Sequence, residues 1–121
     1  MYGETCTFCD IVAGRLPSNV HYEDDDLVVF DNHLNFVPVM LLIVPRKHMT
    51  QSELWTDSQL LSKIGQHAVR MGHDQAPDGF RIVSNFGRFA LQTQFHAHVH
   101  LLGGVELGFY LRRPNKNSPT P

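Results

Sequence analysis

Residues 94–102 read Gln94-Phe95-His96-Ala97-His98-Val99-His100-Leu101-Leu102, and their side chains alternate in character with period two. That period is the mark of a β-strand whose two faces meet different surroundings. Phe95, Ala97, Val99 and Leu101 fall on one face, and His96, His98 and His100 on the other. The apolar set can be buried beneath a helix. The imidazoles then form a row spaced by about 7 Å, twice the strand rise. Gly103-Gly104 closes the strand. One buried face and one polar face call for an antiparallel sheet with a helix laid against it.

The rest of the chain supplies both. Residues 80–84 read as a fourth strand and 85–91 as a loop leading into the fifth. Before them, Thr56-Asp57-Ser58-Gln59 has capping-box spacing, and Leu60, Leu61, Ile64, Ala68 and Met71 recur at helical intervals. This predicts the main helix near 57–73, ended by Gly72 and the turn Ala76-Pro77-Asp78-Gly79. Val20 and Tyr22, the acidic turn 23–26 and the run 27–30 form a hairpin. The branched run 39–44, closed by Pro45, is a third strand apolar enough for burial on both faces. Phe8, Ile11 and Val12 predict a short helix at 8–13, stopped by Gly14 and Pro17. Three strands, a long helix and two strands make an α+β domain over 1–111. The stretch 112–121, rich in Pro, Asn and Ser, reads as an extended or disordered tail.

With 121 residues and 42% apolar composition, one modest core is expected. Ten basic against 12 acidic residues leave a net charge of −2, which argues against a nucleic-acid or membrane-surface protein held by bulk charge. The longest apolar run, 37–44, is broken by Pro38 and falls far short of the roughly 20 residues needed to span a bilayer. Glu4 and Asp10 give the N-terminus no signal-peptide pattern, so a cytoplasmic protein with thiol cysteines is expected. Its function must come from a site.

Histidine points to that site. Of eight histidines, His21, His33, His67 and His73 lie near turns or on the helix and read as surface residues. The alternating three admit two chemistries. Imidazoles on one strand face can hold a catalytic zinc whose open position activates water. A neutral imidazole can instead attack phosphorus itself, because its pKa is near 6.5. Cys6-x-x-Cys9 is also ambiguous, with the spacing of half a zinc site or of a redox dithiol, although the βαβ context of the latter is missing.

The stretch from Gln92 to Gly104 resembles the signature of the histidine-triad (HIT) family of nucleotide hydrolases and transferases, three alternating histidines with Gln four residues before the first and Gly-Gly after. Phe8-Cys9-Asp10-Ile11-Val12-Ala13-Gly14 with Pro17, the turn Tyr22-Glu23-Asp24-Asp25 and Val44-Pro45-Arg46-Lys47-His48 extend the resemblance over residues 6–104. It implies the histidine-triad fold, a five-stranded antiparallel sheet with one long and one short helix, assembled as a homodimer. It also implies binding of a purine nucleotide or nucleotide conjugate and cleavage at the α-phosphate of adenosine phosphoramidates or related nucleotides, like an adenosine 5'-monophosphoramidase.

By the same resemblance, His98 is the nucleophile, and His100 and Gln92 complete the catalytic set. Phe8, Ile11 and Phe30 match the base pocket, Asn32 the ribose contact, and Asn85 and Thr93 the phosphate contacts. Cys6, Cys9, His48 and His96 match a structural zinc site, and no organic cofactor is implied. The chain departs from the pattern at Pro38-Val39-Met40, where many relatives carry Pro-Gly-His, and its single Trp is Trp55 rather than a residue of the tail. These departures keep two alternatives in view, a nucleotide-binding module with weak or lost catalysis and a dinucleoside polyphosphate hydrolase.

Overall fold

The strand Val39–Pro45, VMLLIVP, is apolar throughout and sits at the centre of the sheet. In the computed structural model, which describes residues 6–111, the elements are α1 (Thr7–Val12), β1 (Val20–Glu23), β2 (Leu27–Asp31), β3 (Val39–Pro45), α2 (Gln51–Trp55), α3 (Ser58–Gln75), β4 (Phe80–Val83) and β5 (Val99–Gly103). A single 3-10 turn lies at Arg88–Ala90. The sheet order is β1-β2-β3-β5-β4, antiparallel at every pairing.

Both faces of β3 are covered, which is why its sequence shows no alternation. Leu41 and Ile43 join Leu27, Val29, Val99 and Leu101 in a core roofed by Leu54 of α2 and Ile64, Ala68 and Met71 of α3. Leu42 and Val44 turn the other way and pack with Val28, Phe30 and Phe8, so α1 closes the second face. The hairpin between β1 and β2 is tied to α3 by Lys63, whose ammonium lies 2.8 Å from both Asp24 and Asp26. Among the described residues no helix is long and apolar enough to cross a membrane. The tail read at 112–121 lies outside the described residues.

Three details differ from the reading of the sequence. The capping box is Thr50 with Glu53, opening the extra helix α2, whereas α3 is capped by Asp57, whose carboxylate accepts the Leu60 N–H. Thr56 is held by the helix before it, its hydroxyl donating to the Ser52 carbonyl. The main helix runs through Gly72 to Gln75, because Gly72 is where the Phe80 ring approaches the helix backbone.

The fifth strand is also shorter than its alternation suggests, since residues 94–98 lie outside the ladder. On one side β4 ends at Val83, opposite His100. On the other, Pro45 has no N–H, and its carbonyl accepts the His96 side chain. Ala97, Val99 and Leu101 enter the core as expected, while Phe95 is 58% exposed.

The two helical glycines of α3 should respond oppositely to alanine. A Cβ at Gly65 meets nothing within 4 Å, so Gly65→Ala should stabilise by about 1 kcal/mol from propensity. A Cβ at Gly72 would stand 2.5 Å from the Phe80 ring, and Gly72→Ala should destabilise by roughly 1–3 kcal/mol. Urea denaturation of both variants checks the sign.

Candidate functional site: a Cys2His2 cluster joined to the histidine row

The site begins where β3 ends. His96 is fully buried, and its Nε2 lies 2.7 Å from the Pro45 carbonyl. A carbonyl only accepts, so Nε2 carries the proton and Nδ1 keeps the lone pair. Nδ1 faces the N-terminal cysteines, 3.5 Å from the Cys6 sulfur and 3.4 Å from that of Cys9. On the far side the Cys9 sulfur is 3.1 Å from Nδ1 of His48. The ligand atoms of Cys6, Cys9, His48 and His96 all lie within 4.8 Å of one another.

These residues fit a tetrahedral metal ion. Bonds of about 2.3 Å to sulfur and about 2.05 Å to nitrogen give sulfur–nitrogen edges near 3.5 Å in a tetrahedron. The three sulfur–nitrogen separations above are 3.1, 3.4 and 3.5 Å. Two thiols and two imidazoles suit a borderline-soft cation. Burial, reinforced by the hydrogen bond and charge of Cys6 and by the charge of Asp10, pushes the Cys9 thiol up to about 11. A metal must displace that proton, so uptake weakens as pH falls.

The other two histidines have different work. Nδ1 of His98 lies 2.8 Å from the main-chain carbonyl of His96, which assigns the proton to Nδ1 and leaves Nε2 with the lone pair. Burial lowers the His98 pKa, and the carbonyl contact opposes it. The His98 ring sits 5.1 Å from Phe8 and 5.0 Å from His100, edge-on to each. His100 pairs with Leu42 across β3, on the face covered by α1. Thus the row is divided: His96 turns to the cysteines, and His98 and His100 stay together outside that cluster.

Phe8, Ile11 and Phe30 come together on this face, with Phe8 and Phe30 buried in its core. Asn85 is half-buried, and its carbonyl accepts from the Gln51 side chain at 3.2 Å. Gln92 braces its own loop, accepting the Gly87 N–H at 2.8 Å and donating to the Gln94 carbonyl at 3.0 Å. Thr93 beside it is exposed. Asn32 follows β2, and its side chain accepts the Leu34 N–H at 3.1 Å, the geometry of an Asx turn. Met40 lies two residues before Leu42 on the triad's face, and its sulfur accepts the Phe36 N–H at 3.1 Å.

Gln51 escaped the sequence reading. It is a buried polar residue, and its Oε1 accepts the His98 N–H at 3.0 Å. Gln51 and Gln92 share an open groove of about 340 Å³ between α2 and the 86–95 loop. A larger groove, about 790 Å³, lies beyond the end of α3, between residues 75–81 and 104–109, and contains none of the candidate residues.

Burial, and secondarily the neighbouring His98, lowers His100 to about 4. The unfolded chain therefore takes up a proton near pH 6.5 that the folded protein refuses. Stability should fall as pH drops from about 6.5 to about 4, and His100→Gln should flatten part of that decline. Denaturation midpoints across this window measure the effect.

The HIT domain family matches residues 13–107. An uncharacterized HIT-like protein of Chlamydia muridarum is 36% identical over 107 residues, covering 86% of this chain and 85% of its own length. A HIT family hydrolase from Clostridium thermocellum superposes with a TM-score of 0.81 at 35% identity, over 90% of this chain and 98% of the other. A zinc-bound histidine triad family protein from Mycobacterium smegmatis superposes with a TM-score of 0.73 at 27% identity, over 92% of this chain and 84% of its own. With the triad, the antiparallel sheet and these likenesses in agreement, the chain belongs to the HIT domain family.

Proposed function

We propose that the protein is a nucleotide hydrolase or transferase acting at the α-phosphate of an adenosine phosphoramidate or related purine nucleotide, with His98 as nucleophile. The observation that carries this reading is the 2.8 Å contact from His98 Nδ1 to the His96 carbonyl. It leaves Nε2 as a lone pair on a buried imidazole held neutral at physiological pH. Nε2 attacks the α-phosphorus, and the bond to the leaving group breaks with its electron pair departing with that group, an amine taking up a solvent proton as it leaves and a phosphate departing as the anion. Positive charge on the imidazole is then met by the His96 carbonyl, the acceptor already bonded to Nδ1–H. Water attacks the nucleotidyl-imidazole, its proton passing to solvent, and the breaking P–N bond returns the lone pair to Nε2. His100 and Gln92 serve the phosphoryl oxygens beside it. Thr93 and Asn85 contact the phosphate and leaving group, Asn32 the ribose, and Phe8, Ile11 and Phe30 the base.

Cys6, Cys9, His48 and His96 would hold zinc, which supplies a cross-link between α1, the end of β3 and the histidine row. The pair of thiol ligands fits a reducing cytoplasm. Assembly as a homodimer fits β4, which stands at the sheet edge with one side unpaired among the described residues.

A weakly catalytic nucleotide-binding module is favoured by one observation. Met40 presents a thioether on the site face, and that sulfur is engaged by the Phe36 N–H. Turnover separates the readings. Incubated with adenosine 5'-monophosphoramidate, the wild type should release AMP and show an adenylylated form by mass spectrometry. His98→Ala should lose both, by a factor of at least about 10³, while AMP binding survives. Near-normal turnover in that variant defeats the mechanism. Faster cleavage of diadenosine polyphosphates would assign the other hydrolase branch.

Metal analysis should find about one zinc per chain. Cys9→Ser should lose it, with a stability cost above the ~1 kcal/mol of a typical substitution, because binding at a closed site is folding free energy. A zinc-free wild type with an unchanged melting curve in Cys9→Ser would leave the cysteines as ordinary thiols.

A further inference from the structure

The nucleophile proposed above sits on backbone that the sheet does not hold. Residues 96–98 precede β5, so their peptide groups have no strand partner of the regular kind. A short segment after β3 takes that place, residue by residue. His48 meets His96 at the Cys2His2 cluster, the Met49 carbonyl accepts the Ala97 N–H at 2.8 Å, and Gln51 accepts the His98 N–H at 3.0 Å. The Ser84 hydroxyl, beyond β4, donates to the His98 carbonyl at 2.9 Å.

Among these contacts Gln51 is distinctive because both ends of its side-chain amide are used. While Oε1 holds the His98 N–H, Nε2 donates to the Asn85 carbonyl at 3.2 Å. The residue is 2% exposed, so both bonds are largely shielded from water. Its backbone is anchored as well, since the helix it begins is closed by the reciprocal capping box of Thr50 and Glu53. One buried amide therefore spans the residue that carries the attacking imidazole and the residue at the root of the 86–95 loop.

We propose that Gln51 is a positioning residue, whose amide fixes the His98 backbone and the Asn85 loop in one frame and so sets the aim of the attacking imidazole at the bound phosphorus. This rests on the reading of His98 as nucleophile. Gln51 touches neither substrate nor reacting atoms in this account. Its removal acts on kcat rather than on substrate affinity, because most of the nucleotide's binding contacts lie elsewhere while attack depends on sub-ångström placement.

The test uses Gln51→Met, close in length and volume but without the amide, and Gln51→Asn, which keeps the amide and is one methylene too short to span both partners. Both should lower kcat on adenosine 5'-monophosphoramidate by about tenfold or more, with KM within about threefold of wild type. Hydrogen exchange at the His98 amide should accelerate by about tenfold in each, while the amides of Val99 to Leu101 keep their protection. A folded variant with kcat within twofold of wild type, or one whose whole loss is in KM, overturns the proposal. If the methionine variant does not fold, the asparagine variant decides by the same criteria. The exchange measurement needs no turnover, so it reports on the frame even if His98→Ala shows the nucleophile reading to be wrong. Unchanged His98 exchange in both variants refutes the frame itself.

Discussion

The buried His96 is the residue on which the site depends, because every polar group on its ring and its carbonyl is assigned. Nε2–H is held by the Pro45 carbonyl, Nδ1 looks to the cysteines, and its own carbonyl receives Nδ1–H of His98. Such an arrangement requires a neutral ring. Burial supplies it first, lowering His96 to about 4, with His48 and His98 adding to the effect against the Pro45 contact. Protonation would remove the lone pair on Nδ1 and place an uncompensated charge in the interior. The tautomers of two histidines are thus set by two main-chain carbonyls, each an acceptor that cannot be reversed.

The end of regular pairing makes this possible. Within a continuous ladder the Pro45 and His96 carbonyls would tend to face neighbouring strands and not imidazole rings. At the frayed start of β5 they are available to side chains, and β2 and β3 hold the surrounding frame rigid through paired, buried residues. The histidine row therefore begins one step outside the most ordered part of the sheet, the usual relation between a rigid scaffold and the segment it presents.

Much of this was legible in the sequence because it rests on local periodicity. The alternation from His96 to Leu101 correctly separates the faces, although residues 94–98 are not strand: the side chains keep alternating where the ladder has stopped. The double-sided burial of β3 follows from its unbroken apolar run. The helix α2 was missed because its five residues are too few to show a period, and Thr56, which looks like a cap, belongs to the turn that ends it. Gln51 gave no signal at all, for a glutamine in a polar stretch shows nothing of its burial until the 96–98 segment is folded against it. The Cys2His2 grouping could be named only through the family resemblance, since its ligands are separated by as many as 90 residues and meet only in the folded chain.

The departure at Val39-Met40 is absorbed locally. Among the described residues outside glycine, Leu91 alone has positive φ, so Val39 adopts ordinary strand backbone where a glycine's freedom is not needed. Its side chain enters the main core. Met40 faces the other way, and its sulfur and carbonyl receive the Phe36 and Asn32 N–H groups, closing the 32–38 loop on the strand. An imidazole at this position would offer a donor toward the triad's face, whereas a thioether offers only a weak acceptor, already engaged. In the reaction proposed above, the donors for phosphoryl oxygens are then His100 and the 85–93 loop. That places the 85–93 loop, and the buried Gln51 amide at its root, nearer to the chemistry than the start of β3.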